Sequence, residues 1–378
     1  MGTATARRRR IAVGAAGGLA LAAFAFGAAL SDRHSEPLPS AASQLSLSEL
    51  AGQRLVAGFP GTAAPAPLRR TIRRGELAGV ILFEGNLPDR AGVRRLVAEL
   101  ESIPRPPGLR DPLLIMVDQE GGLVKRLGGP PRASAQRMGV AGAAFSRQQG
   151  RDTAASLRGV GINVDLAPVL DVARPGGTIA AEERGFGSTA TQVADTAVPF
   201  AEGLQAGGVA ATAKHFPGLG AAAENTDFAV QRIELSRRTL RAVDERPYRD
   251  YVAGGGEMVM LSTAIYPAFS PRPAAFARQI ASGELRDRIG FDGVSITDAL
   301  ESVAVRDFGG PAKVAIAGAK AGTDLLLFTD YRAAASAHEA MLRGLRGRKL
   351  RRRPPFEASV GRVLRLRHRL PAKAGPSR

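Results

Sequence analysis

A single (β/α)8 TIM barrel is the fold class that this sequence predicts, and three observations predict it. Eight short apolar runs recur along the chain without polar alternation, as parallel strands buried on both faces require. Helical patterns separate them, joined by short turns rich in Gly or Asp. No low-complexity linker interrupts the body, so a chain of 378 residues reads as one α/β domain with tails.

The chain opens on a targeting segment. Arginines 7–10 precede an uncharged stretch over 11–30 rich in Ala, Gly, Leu and Phe, and polar residues follow. A positive n-region before an apolar segment marks residues 1–30 as a signal peptide or a signal anchor, with the body exported in either case. Small residues at Gly27 and Ala29, or at Ser40 and Ala42, suit a signal peptidase, yet twenty apolar residues also suffice to span a bilayer. A Ser/Pro-rich linker over 31–45 leads into the barrel, assigned to 46–370, and 371–378 form a frayed tail.

Within the body the predicted strands are 54–59, 79–83, 113–117, 164–169, 211–216, 258–262, 293–297 and 324–328. Helical patterns between them include 91–102, 148–158, 191–206, 236–253 and 311–321. A closing helix over 354–370 carries Pro at its start and packs by Val360, Val363, Leu364 and Leu366, which alternate with arginines.

Composition narrows the function. The absence of Cys excludes disulfides, thiolate metal sites, a Cys nucleophile and a lipobox. The net charge of +17 suggests nucleic acid until it is located. Arginines 7–10 carry +4, and residues 343–378 hold thirteen Lys and Arg against Glu357 alone, which leaves the body near neutral. A neutral body with basic ends does not describe a nucleic-acid groove. The basic C-terminal face is expected to meet an anionic surface, membrane or cell-wall polymer, or else to be a solvated Arg-rich helix.

In such a barrel the residue just past each strand faces the active-site mouth. Those positions are Glu84, Asp118, Asp171, Lys214 with His215, Thr263, Asp298 and Asp330. Acids dominate, which suits sugar chemistry, where carboxylates move protons and stabilise an oxocarbenium ion, better than it suits a phosphate site. Asp171 and Asp330 are expected to cap the helices that follow. Asp298, after GVSIT, is placed to attack an anomeric carbon. Asp118 and Arg126 sit on a loop with a Gly pair and can hold two sugar hydroxyls, acceptor beside forked donor. Arg184 has the same character, with a structural salt bridge as its competing role.

Four motifs in order, DQEGG with its following Arg, EERGFGS, KHFPG and SITDAL, resemble the signature segments of glycoside hydrolase family 3. The resemblance runs from about Gly52 to Leu366 and is narrowest with the single-domain β-N-acetylhexosaminidase branch, which trims N-acetylglucosamine from cell-wall fragments. It implies a TIM barrel, no metal or cofactor, and retention through a covalent glycosyl-enzyme. Asp298 matches the nucleophile; Asp118, Arg126, Arg184, Lys214 and His215 match positions that hold the first sugar. A carbohydrate partner and a monomer are expected.

The resemblance departs after KHFPG. Relatives of this architecture carry GHG and an Asp-Ser-His triplet whose His is the general acid/base. Here Gly218, Leu219 and Gly220 precede Asn225, Thr226 and Asp227. Asp227 stands at the His position, Asn225 at its supporting Asp, and Thr263 at a His on the sixth strand. Three readings stay open. Asp227 is the acid/base, oriented by Asn225 and raised in pKa by desolvation; Glu224 swings in from a mobile Ala-rich loop; or the chain is a catalytically impaired carbohydrate-binding barrel. A family 3 hydrolase of another β-linked sugar is a further alternative.

Overall fold

The apolar runs form parallel strands in the computed structural model, which describes residues 42–347, 350 and 353–371. In chain order these are β1 (Leu55–Ala57), β2 (Gly79–Ile81), β3 (Leu114–Val117), β4 (Val164–Asp165), β5 (Ala210–Phe216), β6 (Met258–Leu261), β7 (Val294–Thr297) and β8 (Leu326–Phe328). Each pairs in parallel with the next. β8 returns to β1, with Leu55 opposite Leu326, and a bridge between Ile296 and Leu325 joins β7 to β8. This is a (β/α)8 barrel, and all eight predicted runs carry a strand.

β4 differs most from expectation. Its regular strand stops at Asp165, and beyond it the pairing with β5 continues irregularly, through Thr212 N–H to the Ala167 carbonyl, Lys214 N–H to that of Pro168 and a bridge between Val169 and Lys214. Pro168 lies between, and a residue without an N–H cannot donate to a ladder. The predicted helix over 236–253 is also interrupted: a turn at Arg237–Thr239 widens into a π turn over Leu240–Asp244 before Arg246–Ala253. Pro247, near the start of that last helix, cannot complete the preceding hydrogen-bond register.

Strand residues alternate between two apolar layers. Val56, Leu114, Met116, Ile296 and Leu327 fill the barrel interior. Leu55, Ala57, Ile115, Val117 and Phe328 pack outward against the helices. Both strand faces are therefore dry, which is why the sequence shows continuous apolar runs.

The closing helix, Arg353–Arg369, adds Val363 and Leu366 to the interior layer. Its Arg367 is buried and donates to the carbonyls of Leu109, Asp111 and Pro112 and to the Gln53 side chain. Arg362 pairs with Asp324, just ahead of β8, at 2.7 Å. All these partners precede strands, so the helix stoppers the amino end of the barrel and leaves the carboxyl end open. The aliphatic face packs as expected. Arg362 and Arg367 are turned inward, so neither is available to the anionic surface that the basic C-terminus suggested.

The predicted targeting segment, most of the linker and all of the tail after Pro371 lie outside the described residues. Among the described residues no helix is long and apolar enough to cross a membrane.

Candidate active site

A cavity of about 330 Å³ opens at the carboxyl ends of the strands, and Asp118, Arg126, Arg184, Lys214, His215, Asp227 and Asp298 all line it. The seven residues singled out from the sequence thus converge on one space from five separate loops and strand ends. Glu84 is exposed and lies outside the lining. Glu224 is likewise exposed and outside it. Thr263 is buried, its hydroxyl without a partner, and does not reach the cavity. Among the described residues no group of three or more His, Asp and Glu is arranged to hold a metal ion.

The DQEGG segment supplies one wall through a short antiparallel ribbon, Gln119–Gly121 against Val124–Lys125. Gly121 and Gly122 turn it with φ of 96° and 59°, values that favour glycine. A Cβ on Gly121 would fall 2.3 Å from the Ala133 carbonyl oxygen. Gln119 ties the ribbon down: its amide donates to Leu127 and Pro130 carbonyls, and its oxygen accepts from the N–H groups of Arg126 and Leu127. Arg126 is thereby held by its backbone at the cavity wall.

Glu120 was not singled out from the sequence, yet it organises the cationic side of the site. Its buried carboxylate accepts from Arg184 Nε and Nη2, each at 2.8 Å, and meets Lys214 Nζ at 2.7 Å. Lys214 also donates to Asp118 at 2.7 Å. Burial opposes ionisation of Glu120, but Arg184 and Lys214 outweigh it and hold the carboxyl down at about 2. Burial likewise disfavours the charged lysine, and the Asp118 and Glu120 carboxylates more than offset this, so Lys214 stays protonated with a raised pKa. The expected salt bridge of Arg184 exists, yet three of its five donors serve Glu120 and Glu182, which leaves N–H groups for a ligand at the cavity.

Asp165 lies at the end of β4 and is fully buried. Burial raises its pKa well above the usual carboxylate range, and its Oδ2 has no hydrogen-bond partner. The sequence reading missed it because it sits inside an apolar run.

Adjacent residues on a regular strand face opposite ways, but Lys214 and His215 both line the cavity. The register of β5 against β6 shifts between Ala213 and Phe216, and this irregularity reorients the pair. Asp171, expected as a helix cap, instead fixes His215. Its Oδ1 accepts from the N–H groups of His215 (3.1 Å) and Leu219 (2.6 Å), and its Oδ2 lies 2.8 Å from His215 Nδ1. No helix begins directly after Asp171, so there is nothing to cap. Asp330 does cap, accepting from Arg332 N–H at 2.7 Å.

Asp298 follows β7, half-buried, with its Oδ1 accepting from Ala299 N–H at 2.8 Å. Asp227 reaches the cavity from the Ala-rich loop. Asn225 acts on it through the backbone: its Oδ1 accepts from Asp227 N–H at 2.9 Å, an Asx turn, rather than bonding the carboxyl. The loop is pinned and not loose. Val303 N–H donates to the Asp227 carbonyl and Ala304 N–H to that of Thr226, both at 3.2 Å, stitching it to the segment that follows Asp298. Desolvation and then the charge of Asp298 raise the Asp227 carboxyl to about 6, against the opposing pull of His215 and Arg184.

Two carboxylates, one raised in pKa, beside Arg126, Arg184 and Lys214 at the open end of a TIM barrel define a site of the glycoside hydrolase class. Residues 46–366 match the model of the glycosyl hydrolase family 3 N-terminal domain. The chain belongs to glycosyl hydrolase family 3. It is 38% identical over 291 residues to an uncharacterized secreted glycosyl hydrolase of Arthroderma benhamiae, covering 75% of this chain and 82% of that one. It is 34% identical over 286 residues to a beta-hexosaminidase of Xylella fastidiosa, covering 72% and 82%. Among solved structures, the family 3 beta-N-acetylglucosaminidase from Paenibacillus sp. str. FPU-7 superposes with a TM-score of 0.83 at 34% identity over 88% of this chain. This chain spans 64% of the length of that enzyme. The beta-N-acetylhexosaminidase from Beutenbergia cavernae gives 0.78 at 30% identity over 86% and 99%.

Proposed function

We propose that this chain is an exported, retaining exo-glycosidase that releases β-linked N-acetylhexosamine, with N-acetylglucosamine the first choice, from cell-wall or related glycans. The observation that carries this reading is Asp227 on the same cavity as Asp298, its carboxyl raised to about 6 in part by that neighbour. A carboxyl raised by a neighbouring carboxylate on the same cavity is suited to donate a proton while the neighbour attacks. The relatives named above for N-acetylglucosamine or N-acetylhexosamine support the sugar. The secreted relative and the apolar segment over 11–30 support export.

In this mechanism Asp298 attacks the anomeric carbon while protonated Asp227 gives its proton to the glycosidic oxygen, and the C–O bond to the leaving group breaks. Ionised Asp227 then takes a proton from water, whose oxygen displaces Asp298 and restores both carboxyls. Asp118, Arg126, Arg184, Lys214 and His215 hold hydroxyls and the acetamido group. A cavity of about 330 Å³ is small among ligand pockets and suits one terminal sugar.

The test is trapping. A fluorinated N-acetylglucosaminyl donor is expected to label the peptide bearing Asp298, and Asp298→Ala to lose both the label and turnover of an aryl N-acetyl-β-glucosaminide. Binding of N-acetylglucosamine with neither adduct nor turnover would make the chain a carbohydrate-binding barrel instead.

A further inference from the structure

Five large apolar side chains stand exposed among the described residues, and three of them, Leu123, Phe228 and Val230, lie on the two loops that rim the cavity. Phe228 is 76% exposed and Leu123 74%. Their chain neighbours Asp227 and Val124 line the cavity itself. Single exposed apolar residues need no explanation, but a cluster around a binding mouth marks contact with a ligand.

The backbone that carries Phe228 is also held in place. Phe228 N–H donates to the Asn225 carbonyl at 3.0 Å, inside the turn that Val303 and Ala304 fasten from the other side. Phe228 follows Asp227 directly, with Cα atoms only about 3.8 Å apart, so its backbone sits at the rim next to the group assigned to protonate the glycosidic oxygen, while its ring stands exposed outside the cavity lining. Beyond that oxygen lies the leaving group, and Phe228 is the exposed aromatic residue on the adjoining rim. Pyranose rings present C–H faces that pack on such a surface.

We propose that Phe228, with Leu123 on the other rim loop, forms a platform for the leaving group, selecting an uncharged pyranose on the reducing side of the scissile bond. This rests on the exo-hydrolase reading above. It makes the chain an enzyme for glycan disaccharides and longer chains in preference to N-acetylglucosaminides of small alcohols.

Binding to the full chain carrying Asp298→Ala, which cannot turn over, tests the platform by calorimetry. The β-1,4-linked disaccharide of N-acetylglucosamine is expected to bind about tenfold more tightly than the monosaccharide, close to 1.4 kcal/mol. Adding Phe228→Ala is expected to shrink that gap to less than about twofold, and Phe228→Trp to preserve it. In the active enzyme, Phe228→Ala is expected to lower the ratio of kcat/KM for the disaccharide over the methyl glycoside by about tenfold. A gap that is absent, or that survives Phe228→Ala, overturns the platform while leaving the hydrolase reading intact. If neither sugar binds, the hydrolase reading fails and the platform with it.

Discussion

Glu120 and Arg184 face each other across two hydrogen bonds of 2.8 Å in a buried pair that also holds Lys214. Removing one partner of such a pair strands the other charges without water. Glu120→Gln, which keeps the shape and deletes the charge, is expected to cost about 3 to 5 kcal/mol of stability. It should also raise KM for an aryl N-acetylglucosaminide, because both cations lose their alignment. Urea unfolding and steady-state kinetics check the two parts.

The same residue sets a pH dependence. The Glu120 carboxyl is held at about 2 in the folded protein against an ordinary 4.5. The unfolded chain therefore takes up this proton first as pH falls, so the stability it contributes is whole above about pH 5 and is lost on the way to pH 2. The urea midpoint of the parent should fall more steeply over that window than that of Glu120→Gln. Parallel slopes would remove Glu120 from the acid transition.

Asp227 must carry its proton to act as an acid, and its carboxyl is raised to about 6. The kcat/KM for a disaccharide is expected to decline as pH rises through that value. Asp227→Asn should abolish this limb and slow the disaccharide by at least about a hundredfold, with a much smaller effect on a nitrophenyl glycoside, whose leaving group needs no proton. Persistence of the limb in the variant would assign the acid elsewhere.

Asp171 accepts from two backbone N–H groups and orients the His215 ring. Both N–H groups donate to Oδ1, so Asp171→Asn can keep them while an amide N–H replaces the Oδ2 acceptor opposite His215 Nδ1, at an expected cost of about 1 to 3 kcal/mol. If Asp171 works through His215, the rise in KM should be smaller when His215→Ala is already present. A thermal melt and a double-mutant cycle on KM provide the readings.

Asn225 holds the Asp227 N–H in an Asx turn. Asn225→Ala should loosen that turn at a cost of about 1 kcal/mol and depress kcat on the disaccharide more than on the nitrophenyl glycoside. Asn225→Asp keeps the acceptor and is expected to restore most of the rate.

The barrel was legible because parallel strands dry on both faces leave uninterrupted apolar runs, and Val56 against Leu55 shows the two layers that demand them. Strand-end counting then found Asp118, Lys214, His215 and Asp298. It passed over Glu120 because that residue lies three positions beyond the end of β3, on a ribbon whose fold is set by Gly121 and Gly122. The alternation of acids at 118 and 120 in one motif was the available signal. Asp165 was hidden by apolar neighbours. Asp171 was misassigned because a carboxylate ahead of a loop looks alike in sequence whether it bonds a helix end or a distant imidazole. The pinning of the Ala-rich loop was invisible for the same reason: small residues report freedom of the local chain, while its restraint comes from Val303 and Ala304, far along the sequence.

The seam between Thr226–Asp227 and Val303–Ala304 is made of main-chain atoms alone. Such a mounting is indifferent to which side chain it carries. The proton donor proposed at 227 can therefore change identity in the course of descent while the mount stays put, and a histidine or glutamate installed there would inherit the same station on the cavity that Asp298 lines.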